Sequence, residues 1–249
     1  MKKVYSILLL LISFLGFSQT GNFPYQLDYW KPLGIEIKHA FPMPNDEYML
    51  IARVTNYSPE TYPGLFTDAA TQQDWQNKTG FISIRTTTDF TPIVIHSLFF
   101  TVGNDTLQTN HQFFKGTDNN IYFYLYNEIG KVNTTGELAY KQTLDVYYIN
   151  SLTYYNGFLY GLENHMRDVP VSGEIVYGKL LKIDATTGVI TNSKVIADTT
   201  AIVIEYLGIA VDATGVYVFG TASYNKFVTG YEPNTTFFIQ QGLFNLFKE

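Results

Sequence analysis

The chain has 249 residues, no cysteine and a formal net charge of −6 at pH 7. The lack of cysteine excludes disulfides, cysteine-zinc sites, thiol catalysis and a lipid anchor on an N-terminal cysteine. A protein that binds nucleic acid neutralises phosphates with an excess of basic residues, so this acidic balance disfavours a nucleic-acid partner. Aromatic residues make up 16% of the chain, with 20 Tyr and 19 Phe. This composition favours pleated sheets over helices.

Residues 1–18 have the pattern of a secretory signal peptide and resemble the leaders of bacterial envelope and secreted proteins. Lys2 and Lys3 precede a mostly apolar run, and Gly16 and Ser18 occupy the small positions before a cleavage site. The alternative is a membrane anchor, but the apolar run is short for a spanning helix. We therefore expect residues 19–249 to form a single mature domain without a membrane span. We expect it to be secreted, periplasmic or located in the cell envelope.

The first part of the chain predicts a meander of four strands. Alternating apolar and polar residues predict strands at residues 34–41 and 48–54, joined by a Pro/Asn/Asp turn. A long insertion rich in Asn, Pro, Gly and Thr then occupies residues 55–79. The extended pattern resumes at residues 80–85 and 92–98.

The same order repeats three times along the rest of the chain. The second copy has strands at residues 110–115 and 121–126, then around Lys131 and Val132, and finally at residues 137–143. The third copy begins with strands at residues 152–155 and 158–162, which flank the hairpin turn signal Asn156-Gly157, and then has an insertion at residues 163–177. The fourth copy has strands at residues 208–211, 216–219, 235–239 and 243–248, with an insertion at residues 223–234.

The clearest hairpin of the chain closes the third copy. An apolar run from Lys179 ends in the turn Asp184-Ala-Thr-Thr-Gly188, and a second strand follows at residues 189–196. The segment from Lys182 to Gly188 resembles the turn between the third and fourth strands of quinoprotein-like (PQQ-type) propeller blades. The Trp that usually follows that Gly is missing here. The resemblance implies a fold and not an activity.

Four copies of a four-stranded meander predict an all-β fold. We expect a β-propeller-like array of about four four-stranded antiparallel blades. Two alternatives remain open, a β-sandwich and a fragment of a larger propeller. An open array exposes apolar faces at its two ends, so we expect either a closed ring or a chain that associates with itself.

The common signatures of enzymes and metal sites are missing from the sequence. There is no nucleophile elbow, no HExxH motif and no glycine-rich phosphate loop. The four histidines, His39, His96, His111 and His165, lack the short spacing of zinc ligands. The Asp residues of the turns are typical turn formers rather than calcium ligands. We therefore predict no catalytic residue, no metal and no cofactor.

A pair of carboxylates for glycoside hydrolysis remains an open alternative, because the two members of such a pair come from distant strands. Glu163, Asp168 and Glu174 share one insertion and are the first candidates for this role. The competing interpretation is a solvated loop.

The long insertions are the predicted binding surface. In a propeller, the loop between the second and third strands opens on the same face as the connections between blades. Aromatic rings in polar loops commonly recognise glycans and proteins. The candidate ligand-binding residues in these loops are Tyr57, Tyr62, Phe66, Trp75, His165, Arg167, Tyr224, Phe227 and Tyr231. The alternative is that the rings pack the loops onto the blades.

We therefore expect an exported, non-catalytic binding or scaffold module whose ligand is an unknown glycan or protein. The alternatives are a carbohydrate-active enzyme of propeller type and a structural repeat of a larger envelope protein.

Overall fold

The computed structural model describes residues 35–101, 111–167, 175–196, 203–223 and 235–239. The predicted signal peptide and the strand predicted at residues 243–248 lie outside these ranges. Within them, fifteen strands form four antiparallel sheets that follow one another along the chain. Each sheet is a meander in which consecutive strands are neighbours. The fold is therefore all-β and propeller-like, as the sequence predicts.

The first sheet contains strands β1 (Ile35–Met43), β2 (Glu47–Val54), β3 (Gly80–Thr86) and β4 (Pro92–Phe100) in this spatial order. The first insertion, residues 55–79, connects β2 to β3. It contains a short helix, α1 (Ala69–Trp75), which the sequence analysis did not predict.

The second and third sheets repeat the same order. The second contains β5 (Gln112–Lys115), β6 (Ile121–Leu125), β7 (Glu128–Val132) and β8 (Leu138–Thr143). The third contains β9 (Ile149–Tyr155), β10 (Phe158–Arg167), β11 (Ile175–Asp184) and β12 (Ile190–Ile196). The fourth has three strands within the described ranges, β13 (Val203–Asp212), β14 (Gly215–Ser223) and β15 (Thr235–Ile239).

The third sheet differs from the sequence prediction, which placed an insertion at residues 163–177. β10 and β11 stay paired as far as Arg167 and Ile175, so most of the predicted loop is a long hairpin. Only residues 168–174 between the two strands lie outside the described ranges. Pairing continues because each strand supplies the backbone partners of the other, even where the sequence has few apolar residues.

Each pair of consecutive sheets shares a hydrophobic core. Met49 and Ile51 of β2 pack toward Phe123 of the second sheet. Further clusters join the second sheet to the third and the third to the fourth. Among the described residues, no core cluster joins the fourth sheet to the first. Burial on both faces explains why β2 reads as a continuous apolar run.

The first insertion covers the other face of the first sheet. Leu50 of β2 and Ile82 and Ile84 of β3 point away from the second sheet and pack against Tyr57 and Trp75 of the insertion. Without a covering, this apolar face would be exposed to water. The chain's own insertion therefore buries the face of the first sheet that is turned away from the second sheet.

The turn between β11 and β12 has the geometry that its sequence requires. One carboxylate oxygen of Asp184 accepts hydrogen bonds from the backbone N–H groups of Thr186 and Thr187, each at 2.8 Å. Gly188 has a φ of +74°, where a glycine is favoured. The Asp184 carboxylate is therefore used within its own turn. Within the described ranges, no helix is long and apolar enough to cross a bilayer.

Candidate functional site

The four rings predicted as ligand contacts in the first insertion are buried. The exposed fraction is 1% for Tyr57 and Tyr62, 5% for Phe66 and 0% for Trp75. The rings contact one another, with centroids 5.6 Å apart for Tyr57 and Tyr62 and 5.1 Å apart for Phe66 and Trp75. This burial favours the packing alternative for the four rings, and Phe66 among them also lines a surface groove. Their role as ligand contacts stays a prediction.

The remaining predicted contacts come from outside the first insertion. His165 and Arg167 lie on strand β10 rather than in a loop, and their side chains are outside the described part of the structure. Tyr224, Phe227 and Tyr231 also lie outside the described residues, as do the candidate carboxylates Asp168 and Glu174. The role of these five residues as ligand contacts or acids stays a prediction.

A different site lies between the first and second sheets. It is a pocket of about 260 Å³, which we call the Glu128 pocket. Phe100 at the end of β4 and His111 in the link between the sheets line it, and Lys141 lines it from β8. Tyr126 and Asn127 in the turn between β6 and β7, and Glu128 at the start of β7, also line it.

His111 forms an inner wall of the Glu128 pocket. Its side chain is 3% exposed, and its ring centroid lies 4.9 Å from that of Phe99 and 5.3 Å from that of Phe81. Neither ring nitrogen has a hydrogen-bond partner among the described residues. Burial among these rings lowers the pKa of His111 to about 4, although the nearby Glu128 carboxylate opposes this shift. The imidazole is therefore neutral at pH 7 and can both donate and accept a hydrogen bond.

An ion pair lies beside this imidazole. The Lys141 Nζ donates to Glu128 Oε1 at 2.7 Å, and the other carboxylate oxygen, Oε2, lies 3.8 Å from His111 Nε2. The side chains of Glu128 and Lys141 are 31% and 26% exposed. Both charges can therefore reach a polar ligand in the pocket without being fully stripped of water. An exposed pair of this kind contributes little to stability, typically about 0 to 1 kcal/mol.

Three exposed tyrosines extend the pocket outward, and we call them the tyrosine patch. Tyr126, Tyr147 and Tyr148 are 42%, 63% and 36% exposed. Tyr126 lines the pocket, and its ring meets that of Tyr148 edge-on with centroids 5.7 Å apart. Tyr147 precedes Tyr148 in the chain, and the exposed pair of Tyr126 and Tyr148 offers aromatic surface beside the pocket.

The backbone holds the tyrosine patch in place. The amide of Ile149 donates to the Tyr126 carbonyl at 2.7 Å, and the amide of Leu144 donates to the Asn127 carbonyl at 2.8 Å. The turn between β6 and β7 is therefore fastened to the link between the second and third sheets. These two bonds hold the turn that carries Tyr126 beside the link that carries Tyr147 and Tyr148.

Glu163, a candidate acid in the sequence analysis, supports the patch from below. It is 3% exposed, and its Oε1 accepts a hydrogen bond from the Tyr147 amide at 2.8 Å. Its Oε2 lies 3.9 Å from the Nζ of Lys179, the residue directly opposite on β11. A carboxylate with these partners holds the chain of the patch in position.

His39 and His96, the other two histidines with described side chains, belong to the first sheet. His39 stacks on Phe41, with centroids 5.7 Å apart, and burial lowers its pKa. His96 lies on β4 at the outer edge of the first sheet. Within the described residues, no group of three or more His, Asp or Glu side chains could hold a metal ion.

The sequence analysis missed the tyrosine patch because its rings come from short connections rather than from the long insertions. Tyr126 ends the β6 run, and Tyr147 and Tyr148 lie in the link between the second and third copies. One signal was available. Links between blades open on the predicted binding face, and tyrosines in such links are candidates for the same reason as those in the insertions.

No protein-family model matches the sequence, and no curated protein matches it significantly. Several solved structures are weakly similar in their overall fold. An exo-1,5-alpha-L-arabinanase from a bovine ruminal metagenomic library has a TM-score of 0.34 and 8% identity, over 77% of this chain and 70% of that one. The Pan2 WD40 domain of Neurospora crassa has a TM-score of 0.39 and 8% identity, over 80% of this chain and 49% of that one.

An alpha-L-arabinanase of Cellvibrio cellulosa has a TM-score of 0.33 and 5% identity, and it covers 92% of this chain and 85% of that one. At these scores the similarities carry no argument about chemistry. The assignment of the fold rests on the order and pairing of the strands.

Proposed function

We propose that the protein is an exported, non-catalytic binding module, and that the Glu128 pocket and the tyrosine patch together bind a sugar unit of a glycan. The observation that carries this proposal is the contact between the exposed Tyr126 and Tyr148 rings at the mouth of a pocket that contains an ion pair. The export of the chain rests on the pattern of residues 1–18 alone.

The chemistry of the site suits a sugar ring. Tyrosine rings offer flat apolar surface to the C–H face of a sugar, and their hydroxyl groups remain available for hydrogen bonds. Sugar hydroxyls both donate and accept, which matches the carboxylate of Glu128, the ammonium of Lys141 and the neutral imidazole of His111. The pocket lies below the usual range of about 300 to 1,000 Å³ for small-molecule sites, which favours one ring with its neighbours lying on the patch.

Binding of the purified protein to a glycan array tests this proposal, followed by calorimetric titration of the best oligosaccharide. We expect Tyr148→Ala and Glu128→Gln each to weaken binding, Tyr148→Ala by roughly 2 kcal/mol if the ring is a hot spot. Tyr148→Phe separates the ring from its hydroxyl group. Leu207→Ala is the matched control, because Leu207 is an exposed apolar residue of the fourth sheet. The proposal is contradicted if no glycan binds, or if neither Tyr148→Ala nor Glu128→Gln weakens the binding of the glycan that does.

A carbohydrate-active enzyme remains the alternative. It requires two carboxylates that face each other across a cleft. Among the described residues, Glu128 is paired with Lys141 and Glu163 accepts from the Tyr147 amide, which favours binding and positioning roles. Release of shorter products from a bound glycan, abolished by Glu128→Gln, would favour the enzyme instead.

A further inference from the structure

A second, larger site follows the outer edge of the first sheet. It is a groove of about 630 Å³ whose floor is formed by four consecutive residues of β4, from Ile95 to Leu98. Among the described residues, β4 is the last strand of its sheet and pairs with β3 on one side. An edge strand presents a row of backbone N–H and C=O groups that can pair with another strand. We call this site the β4 groove.

Two walls rise from opposite faces of the sheet. The first insertion forms one wall with Phe66 and Asp68, on the face where Ile84 and Ile95 are paired. The turn between β7 and β8 forms the other wall with Asn133 and Glu137.

The second wall is fixed to the first sheet. The Ser83 hydroxyl donates to the Gly136 carbonyl, and Ser83 is paired with His96 on β3 and β4. Successive residues of a strand point to opposite faces of its sheet. A strand added in the β4 groove therefore presents neighbouring side chains to opposite walls.

The backbone is regular along the groove from Ile95 to Ser97, and Leu98 lies at an irregularity of the ladder. The β3–β4 ladder has irregularities between Phe81 and Ile82 and between Arg85 and Thr86. Between them the register is continuous, from the Ile82–Ser97 pair to the Arg85–Val94 pair. A regular stretch of edge strand between two bulges offers a defined length for an added strand.

Each wall carries a carboxylate. The Thr71 amide donates to Asp68 Oδ1 at 2.7 Å and keeps the pKa of Asp68 below its ordinary value. Hydrogen bonds from Asn133 at 3.2 Å and Thr135 at 3.0 Å do the same for the pKa of Glu137. Both groups are ionised at pH 7.

The lining described for the groove contains no Lys or Arg, and His96 is its one basic side chain. A second copy of this chain, paired edge to edge along β4, would bring carboxylates of the same sign together. A strand with basic side chains has the complementary charge.

We propose that the β4 groove binds an extended peptide as an added strand, with two neighbouring basic side chains that reach Asp68 on one wall and Glu137 on the other. Backbone pairing with β4 supplies affinity, and the two carboxylates supply the sequence preference, as in other cases of strand addition. This proposal does not depend on the sugar site.

Peptide isomers of identical composition test the proposal directly. The probes are short blocked peptides of valine and threonine with two lysines, which are adjacent in one isomer and separated by one residue in the other. Adjacent lysines face opposite walls, whereas separated ones face the same wall. We expect the adjacent isomer to bind about threefold to fivefold tighter, the effect of one further ion pair at a partly exposed site. N-methylation of the amides on one edge of the peptide should remove detectable binding.

Variants of the walls complete the experiment. Glu137→Gln and Asp68→Asn should each reduce the preference for the adjacent isomer, and Asn is a good helix cap, so α1 is retained. Asp74→Asn is the matched control, because Asp74 lies in the same insertion, outside the groove lining, with its side chain 63% exposed. The changes in NMR chemical shift on peptide addition should be largest at the backbone amides of residues 94–98.

Three outcomes overturn the proposal. The first is that neither isomer binds or that both bind equally. The second is that the preference survives both wall variants. The third is protection of the β4 amides that rises with protein concentration without peptide, which would assign the groove to a second copy of the chain.

Discussion

Trp75 packs edge-on against Phe100, with ring centroids 4.9 Å apart and ring planes at 71°. Trp75 is the last residue of α1, and Phe100 is the last residue of β4. The contact therefore fastens the first insertion to the sheet that it covers. The Trp75 ring is fully buried, and its Nε1 has no hydrogen-bond partner among the described residues. Its contribution is that of an apolar ring.

Trp75→Ala should lower the free energy of unfolding by about 3 to 5 kcal/mol, because it leaves a large cavity under the insertion. Trp75→Phe should cost much less, since it keeps a ring and removes an unpaired N–H group. Urea denaturation measures both. Gln73→Ala is the control on the exposed side of the same helix and should stay within about 0.5 kcal/mol of the unchanged protein. A similarly small effect of Trp75→Ala would contradict the covering role.

Gly130→Ala should also destabilise the protein. Gly130 lies opposite Phe123 in the β6–β7 ladder, and a Cβ atom at this position would lie 2.0 Å from the Phe123 ring. The ring is buried, so it cannot move aside without disturbing the core, and we expect a loss of about 1 to 3 kcal/mol. Gly161→Ala on β10 is the matched control, because its nearest contact would be a Leu152 methyl group at 3.3 Å. Thermal unfolding of the two variants compares them, and equal midpoints would refute this explanation.

His111 should make stability depend on pH between about 4 and 6.5. Its pKa is lower in the folded protein, so the unfolded chain binds the proton more readily in this window. The contribution of neutral His111 to the free energy of unfolding is therefore fully present above pH 6.5. It is lost as the pH falls toward 4, by about 3 kcal/mol at most. Unfolding of the unchanged protein and of His111→Phe, measured across this range, gives the difference. The Phe variant should show the shallower slope, and parallel curves would rule out the histidine as the source.

Glu163 should control the order of the tyrosine patch. Glu163→Leu removes the acceptor of the Tyr147 amide, so this amide should exchange with solvent roughly tenfold faster, the effect of losing one hydrogen bond of about 1.4 kcal/mol. Glu163→Gln retains a carbonyl acceptor and is the matched control. Hydrogen exchange followed by NMR gives both rates. Unchanged exchange at Tyr147 in the Leu variant would show that other contacts hold the patch.

Local sequence patterns predicted most of the strands because strand alternation and turn chemistry act over a few residues. The Asp184–Gly188 turn satisfies its own backbone, and its two strands lie where the apolar pattern places them. The helix α1 escaped prediction because its seven residues have one buried side chain and therefore no apolar stripe. The length of β10 and β11 escaped it because pairing between strands, rather than their composition, extends them.

The sequence by itself determined the all-β class, the four meanders and the turns between their strands, since these depend on neighbours in the chain. The tertiary structure alone decided which rings are buried. Trp75 has polar neighbours in sequence, but Tyr57 and Phe66 from elsewhere in the insertion and Phe100 from β4 surround it and exclude water from it. It also decided the candidate site, because the link between sheets, β7 and β8 bring His111, Glu128 and Lys141 together across as many as 30 positions of the chain. Contacts of this kind form only when the sheets stack, and no pattern within a single strand specifies them.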